Sequence, residues 1–256
     1  MGYILPFTYT FLTRMKENKS TIFFHCYYEW IVSVGILYLV EGYSLSDSIC
    51  YFLLAYVSFI SVYEIGYLVN DLYSIRYEKN PRPRLKQVKW SGAYLYIFVA
   101  IRILSFFLIS SLLDLLTTKI WIYFYFILCV VFMMHNLLRN EELKPITFSC
   151  LAFLRFFAPI FPFISLDTFN SIFPPFFICY LLYRLINYLD SKDFLMMPNR
   201  RTPKWKLSFY LITFILNTFI SLLLWNIVPV ALNAYYLIFW AVYFITSKIR
   251  RGILAS

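Results

Sequence analysis

Long apolar runs alternate with short polar segments along the whole chain. Eight runs approach the roughly 20 residues that a helix needs to cross a bilayer. They cover 21–40, 47–69, 93–113, 120–138, 146–166, 172–189, 207–228 and 230–248. The fifth and sixth runs contain several prolines, which predict kinks or a shallow dip into the membrane. We therefore expect an all-α, polytopic bundle of about eight transmembrane helices that forms one domain over 1–256.

Composition agrees with this pattern. Hydrophobic residues make up 61% of the 256 residues and charged residues 14%, against roughly 25% charged in soluble domains. The net charge of +10 lies in short segments between apolar runs, which argues against a nucleic-acid partner. It indicates membrane topology and phosphate-bearing substrates instead.

The distribution of Lys and Arg predicts the orientation. Nineteen of them lie in the N-terminal tail, the even-numbered loops and the C-terminus, whereas the odd-numbered loops contain only Lys119. Cytoplasmic segments carry the excess of positive charge. Both termini and the even loops are therefore expected in the cytoplasm, and the alternation favours an even number of spans.

Four ionisable residues fall well inside predicted spans: Glu29, Glu64, Arg102 and Arg155. Arg184 lies near the end of another span. Each costs several kcal/mol if it faces lipid. We expect them to face a shared interior, where they either pair with one another or bind a ligand.

One polar cluster closes the second span. Helical steps of three and four residues place five side chains on one face of the helix. They are Glu64, Tyr67, Asp71, Ser74 and Glu78. Asp71 and Glu78 are roughly 10 Å apart by helical rise, a gap that a diphosphate with bound Mg²⁺ could bridge. The basic run after them (Arg82, Arg84 and Lys86) would neutralise more phosphate charge. An interfacial helix with solvated charges is the alternative.

A second polar cluster closes the sixth span. Arg184, Asn187, Tyr188 and Ser191 share a helical face, and Asp190 neighbours it. Two such clusters at matching ends of two spans predict one site between them. The alternative is an ordinary polar helix end.

These residues resemble the signatures of the UbiA superfamily of intramembrane prenyltransferases. Asn70-Asp71, Glu78 and Asn80-Pro81-Arg82-Pro83 are similar to the first signature, N-D-x-x-D-x-x-x-D followed by a segment with proline and arginine. The second signature follows the sixth span in the family, where this chain has Asn187, Asp190 and Asp193. Ser74 and Glu78 depart from the first signature, and the aspartates of the second are three rather than four residues apart. The family usually has nine spans.

One branch of the superfamily transfers phosphoribose from phosphoribosyl pyrophosphate to a polyprenyl phosphate. This chain resembles that branch in three short stretches: Leu143-Lys144-Pro145, Phe153-Leu154-Arg155 and Arg184-Leu-Ile-Asn187. The resemblance implies an Mg-dependent transferase of cell envelope biosynthesis in a bacterial inner membrane, with its active site facing the cytoplasm.

The resemblance also implies a role for each residue. Mg²⁺ would be held by Asp71 with Asn70 and Glu78, and by Asp190. The phosphates of the two substrates would bind Arg82, Arg84, Lys86, Lys144, Arg155, Arg184 and Asn187. Two other functions stay open: a prenyltransferase that alkylates an aromatic acceptor with a polyprenyl diphosphate, and a degenerate, non-catalytic lipid-binding subunit.

Overall fold

The computed structural model describes residues 2–16, 19–77, 84–85 and 91–255, and all regular secondary structure in this part of the chain is helical. We number nine helices. They are α1 (Thr8–Thr10, continued by the π-helical turn Phe11–Met15), α2 (Ser20–Val40), α3 (Leu45–Leu72), α4 (Gly92–Leu112), α5 (Lys119–Leu137), α6 (Lys144–Phe157), α7 (Leu166–Ser191), α8 (Pro203–Leu224) and α9 (Val228–Ala255). Short 3₁₀ turns follow α3 and α6, at Ser74–Tyr77 and Phe161–Phe163.

Seven helices in the described part of the chain are long and apolar enough to cross a membrane: α2, α3, α4, α5, α7, α8 and α9. This confirms the predicted polytopic helical bundle. The predicted fifth span, 146–166, differs. It forms α6, whose 14 residues rise about 21 Å, too short to cross the hydrocarbon at that length. Pro145 lies in the first turn of α6, where proline is tolerated, and Pro159 follows its end.

Hydroxyl side chains start several of the long helices. The hydroxyl of Ser44 accepts a hydrogen bond from the amide of Asp47 at the start of α3. Ser91, Ser165 and Thr202 cap α4, α7 and α8 in the same way. Each satisfies one of the amides that a helix N-terminus leaves without a partner.

The chain forms two compact units, Met1–Ile164 and Ser165–Ser256. In the first unit α3 is central: 61% of its most apolar window is buried, against 22% for α4. Gly66 allows α3 to lie close to α5. A Cβ atom at this position would lie only 2.4 Å from the ring of Phe132. Small residues at such contacts are typical of membrane helices, since they let backbones approach.

The second unit contains α7, α8 and α9. Pro174 and Pro175 lie inside α7 and are followed by a π-helical stretch, Phe176–Leu181, at the place where the sequence predicted a kink. Asn217 of α8 and Asn233 of α9 are fully buried and hydrogen-bonded to each other at 3.2 Å. Such side-chain bonds hold membrane helices together where the hydrophobic effect gives no driving force.

Orientation in the membrane is a prediction from charge, and it can be measured. Ser44 and Thr202 are matched positions, because each caps the start of a long helix. In a cysteine-free background, we expect Ser44→Cys to react with an impermeant maleimide added from outside and Thr202→Cys to react only after permeabilisation. The reverse labelling would place the Asp71 end of α3 outside and contradict the proposed compartment.

Candidate functional site

The site is built on the predicted polar face of α3. Glu64, Tyr67 and Asp71 follow one another at steps of three and four residues, and both carboxylates are buried. Glu64 pairs with Arg102 of α4, the hydroxyl of Tyr67 accepts a bond from Arg155 of α6, and Asp71 pairs with Arg14 of the N-terminal segment. Ser74, the next predicted member, lies in the 3₁₀ turn and donates a hydrogen bond to the carbonyl of Asn136.

Asp71 lies at the last turn of α3 and has a fully buried side chain. Arg14 binds both of its oxygens, with Nη1–Oδ2 at 2.8 Å and Nη2–Oδ1 at 2.9 Å. Tyr9 donates from its hydroxyl to Oδ2 at 2.6 Å. Arg84 reaches Oδ1 at 3.4 Å. We call these four residues the Asp71 cluster.

Tyr9 and Arg14 are held more firmly in the Asp71 cluster than Arg84 is. Burial and the adjacent carboxylate raise the pKa of Tyr9, so its phenol stays protonated and donates. The side chain of Arg84 is 34% exposed, against 11% for Arg14, and its single contact is long. Among the described residues, Arg14 already compensates the charge of Asp71, so Arg84 is a second positive charge at this carboxylate, on the more exposed side chain.

A second buried ion pair lies about two turns earlier on α3. Arg102 of α4 bonds to Glu64 through Nη2 at 2.6 Å and Nε at 3.0 Å, and both side chains are fully buried. The same guanidinium donates to the carbonyls of Tyr3, Ile4 and Leu5. Arg102 thereby fixes the N-terminal segment that carries Tyr9 and Arg14.

Arg155 of α6 forms the third buried group, the Arg155 cluster. Its Nε bonds to Glu29 at 3.1 Å and its Nη1 to the hydroxyl of Tyr67 at 3.0 Å. Its Nη2 lies 3.2 Å from the ring of His25, which in turn lies 2.8 Å from Glu29. The expectation that the intramembrane charges pair in a shared interior is confirmed for Glu29, Glu64, Arg102 and Arg155.

Tyr67 joins the two clusters. The guanidinium of Arg14 stacks 3.8 Å from the centre of its ring, while its hydroxyl accepts the bond from Arg155. Cation–π contacts of this kind are worth about 2 kcal/mol when they are desolvated. The polar groups therefore form one network through the interior of the first unit.

The predicted Mg²⁺ site stays a prediction, because Glu78, one of its expected ligands, lies outside the described residues. In the part of the chain that the structure describes, no three His, Cys, Asp or Glu side chains come together as metal ligands would. Both oxygens of Asp71 are already bound by Arg14. Asn70 only lies beside them, with its amide nitrogen 3.5 Å from Oδ1. A metal ion at Asp71 would have to displace one of the groups that now bind its oxygens, and Arg84, at 3.4 Å from Oδ1, is the more weakly held of the two arginines.

The second predicted cluster lies in the second unit, at the end of α7. Asp190 pairs with Arg200 and accepts a hydrogen bond from the amide of Met197. Arg200 also donates to Asn187, and Arg184 donates to the hydroxyl of Tyr180 at 2.7 Å. Asp190 therefore orders the segment that leads to α8, and its proposed role as a metal ligand stays a prediction.

Of the other predicted site residues, three are not described by the structure and one is buried at the start of α6. Glu78, Arg82 and Lys86 lie outside the described residues. Lys144 begins α6 and is buried. Sequence reasoning missed the roles of Tyr9, Arg14 and His25. Arg14 carries no distinguishing signal, because it counted only as one of several positive charges before the first span and its partner is 57 residues away. His25 does precede Glu29 by one helical turn, a spacing that predicts contact.

Comparisons with models of protein families, with curated proteins and with solved structures found no match. The similarity to the UbiA superfamily therefore depends on the signature residues alone.

Proposed function

We propose that this chain is an intramembrane transferase that binds phosphate-bearing substrates at the Asp71 cluster. The supporting observation is the convergence of Arg14 and Arg84 on one buried carboxylate at the end of a membrane helix. Among the described residues, two positive charges thus meet one negative charge, at the point in the sequence where a basic segment begins. Arginine is suited to phosphate because its fork of donors matches the oxygens.

Arg84 is the member that can move to a substrate. Its departure leaves Asp71 with both contacts to Arg14, so no buried charge loses its partner. A diphosphate bound by Arg84 would then lie close to Asp71. The carboxylate holds Arg14 and Tyr9 in place and so shapes the site, without itself binding the anion.

The proposed reaction is a glycosyl-type transfer from phosphoribosyl pyrophosphate to a polyprenyl phosphate. An oxygen of the lipid phosphate forms the new bond to the anomeric carbon, and the bond from that carbon to the diphosphate breaks. The diphosphate leaves with the electron pair, and Arg84 with the basic segment after α3 neutralises its charge. Because phosphate is already a nucleophile, positioning and charge stabilisation would carry the catalysis.

A second candidate is the non-catalytic lipid-binding subunit. It is favoured by the completeness of the network, in which Arg14, Arg102 and Arg155 each contact a carboxylate of the protein. A phosphate at Arg155 would have to displace Glu29, Tyr67 or His25. This reading needs no substrate at any of the three arginines.

A substrate assay tests the proposal. Membranes with and without the protein are incubated with labelled phosphoribosyl pyrophosphate and decaprenyl phosphate, and label in the organic extract is counted. We expect label in the lipid only where the protein is present. A parallel arm supplies a polyprenyl diphosphate with 4-hydroxybenzoate. Prenylated product in that arm alone would favour the prenyltransferase, and no product in either arm would favour the subunit.

A further inference from the structure

A cavity of about 720 Å³ opens in the second unit, between the first turns of α8 and the stretch of α9 from Phe244 to Lys248. Its lining includes Lys204, Trp205 and Ser208 from α8, and Phe244, Ser247 and Lys248 from α9. This volume is in the range of small-molecule sites. None of these residues belongs to the Asp71 or Arg155 clusters, so the cavity is a separate feature.

The cavity carries positive charge without an internal counter-charge. Lys204 and Lys248 are exposed, and neither pairs with a carboxylate in the described part of the chain. Residues 165–256 contain nine Lys and Arg but three Asp and Glu, and Asp190 is taken by Arg200.

The start of α8 adds to this charge. Its first turn has no acidic residue, although the positive end of a helix dipole favours one there. It carries Lys204 instead, with Lys206 just beyond. The ammonium of Lys206 lies 4.3 Å from the ring centre of Trp240 and so contacts an aromatic face rather than an anion. This end of the helix therefore favours an anion from outside the chain.

The same cavity leads onto an apolar surface. Trp205 stacks on Phe209, with ring centres 5.6 Å apart, and Lys248 lies over Phe244 at 4.8 Å. Leu211 and Ile212 are exposed one turn further along α8, and Ile245 is exposed in the turn of α9 that lines the cavity. An aromatic belt between a charged end and an apolar flank is typical of the headgroup level of a bilayer.

From this juxtaposition we propose that the cavity binds the phosphate of an anionic phospholipid, such as phosphatidylglycerol, with its acyl chains along the apolar flanks of α8 and α9. Lys204 and Lys248 hold the phosphate, and the hydroxyl of Ser208 donates to the headgroup. A free phosphate would satisfy the two lysines but would leave the apolar flank unused. The proposal is independent of the transferase function.

Lipid titration of the delipidated, full-length protein in detergent tests this site, with native mass spectrometry as the readout. Dioleoyl phosphatidylglycerol is expected to bind at least tenfold more tightly than dioleoyl phosphatidylcholine. A lysine near an anionic headgroup contributes about fivefold in affinity. The double variant Lys204→Ala with Lys248→Ala should therefore bind dioleoyl phosphatidylglycerol about 25-fold more weakly than the wild type. Millimolar inorganic phosphate is expected to leave the bound lipid in place.

Two variants complete the experiment. Lys119→Ala is the matched control, because Lys119 is also an exposed lysine at the start of a membrane helix, and it should bind lipid like the wild type. Lys204→Arg with Lys248→Arg should retain binding, since the charge is kept. Equal binding of the two lipids, an equal loss in the Lys119 variant, or displacement by inorganic phosphate would each overturn the proposal.

Discussion

Replacing Arg102 by alanine is expected to prevent most of the protein from accumulating in folded form. The change leaves Glu64 buried without its partner and removes the donor to the carbonyls of Tyr3, Ile4 and Leu5. Breaking a buried ion pair by removing one partner costs about 3–5 kcal/mol, which is a large share of the stability of a typical protein. Yield and monodispersity of a fluorescent fusion on size exclusion measure the effect.

Two comparisons make the Arg102 result specific. Arg139→Ala removes an exposed arginine and should leave the yield unchanged. The double variant Glu64→Leu with Arg102→Met removes both charges and should recover part of the yield, because apolar residues of similar volume often replace a buried pair without loss. Wild-type yield from Arg102→Ala alone would show that the pair does not stabilise the fold.

The second large effect is expected from Asp71→Asn, which should lower transferase activity about hundredfold, the scale of losing one preorganised electrostatic group. Asparagine has nearly the shape of aspartate but lacks the charge that holds Arg14 in a two-point contact. Removing the counter-charge of the largely buried Arg14 costs about 3–5 kcal/mol, so the amount of folded protein should fall as well. Initial rates in membranes, normalised to the amount of folded protein, measure this, with EDTA-treated samples in parallel.

Arg84 and Arg139 supply the matched pair for the Asp71 experiment. Arg84→Gln should raise the KM for the diphosphate donor and leave the yield unchanged, whereas Arg139→Gln should change neither. If Asp71→Asn lowers the yield of folded protein but the surviving fraction turns over at the wild-type rate, Asp71 is a structural residue. The transferase proposal would then lose the residue on which it depends.

The fold follows from local features of the sequence to a large extent. Apolar runs of about 20 residues predicted the long helices, because the bilayer fixes their length. The polar face of α3 followed from the helical period, and it placed Glu64, Tyr67 and Asp71 together. The predicted fifth span is the exception. Its apolar run continues past Pro159, but α6 ends at Phe157, so hydropathy alone overestimated the helix.

The pairing within the site is less predictable, because it depends on contacts across long stretches of chain. The sequence named Glu29 and Glu64 as the two partners available to Arg102 and Arg155, but not which pairs with which. Arg14 could not be singled out at all. Its contact with Asp71 requires the N-terminal segment to fold back onto α3, and that geometry depends on the carbonyls that Arg102 binds.

The sequence separation of the buried pairs also determines how long each charge waits for its partner while the protein is being synthesised. Glu64 and Arg102 are 38 residues apart on consecutive long helices. A ribosome that adds roughly 5–20 residues per second therefore synthesises Arg102 about 2–8 s after Glu64. Glu29 and Arg155 are 126 residues apart, a wait of about 6–25 s at the same rate. During that interval Glu29 can contact His25, which lies one turn away on the same helix. Glu29 therefore has a local partner in His25 before α6 is made.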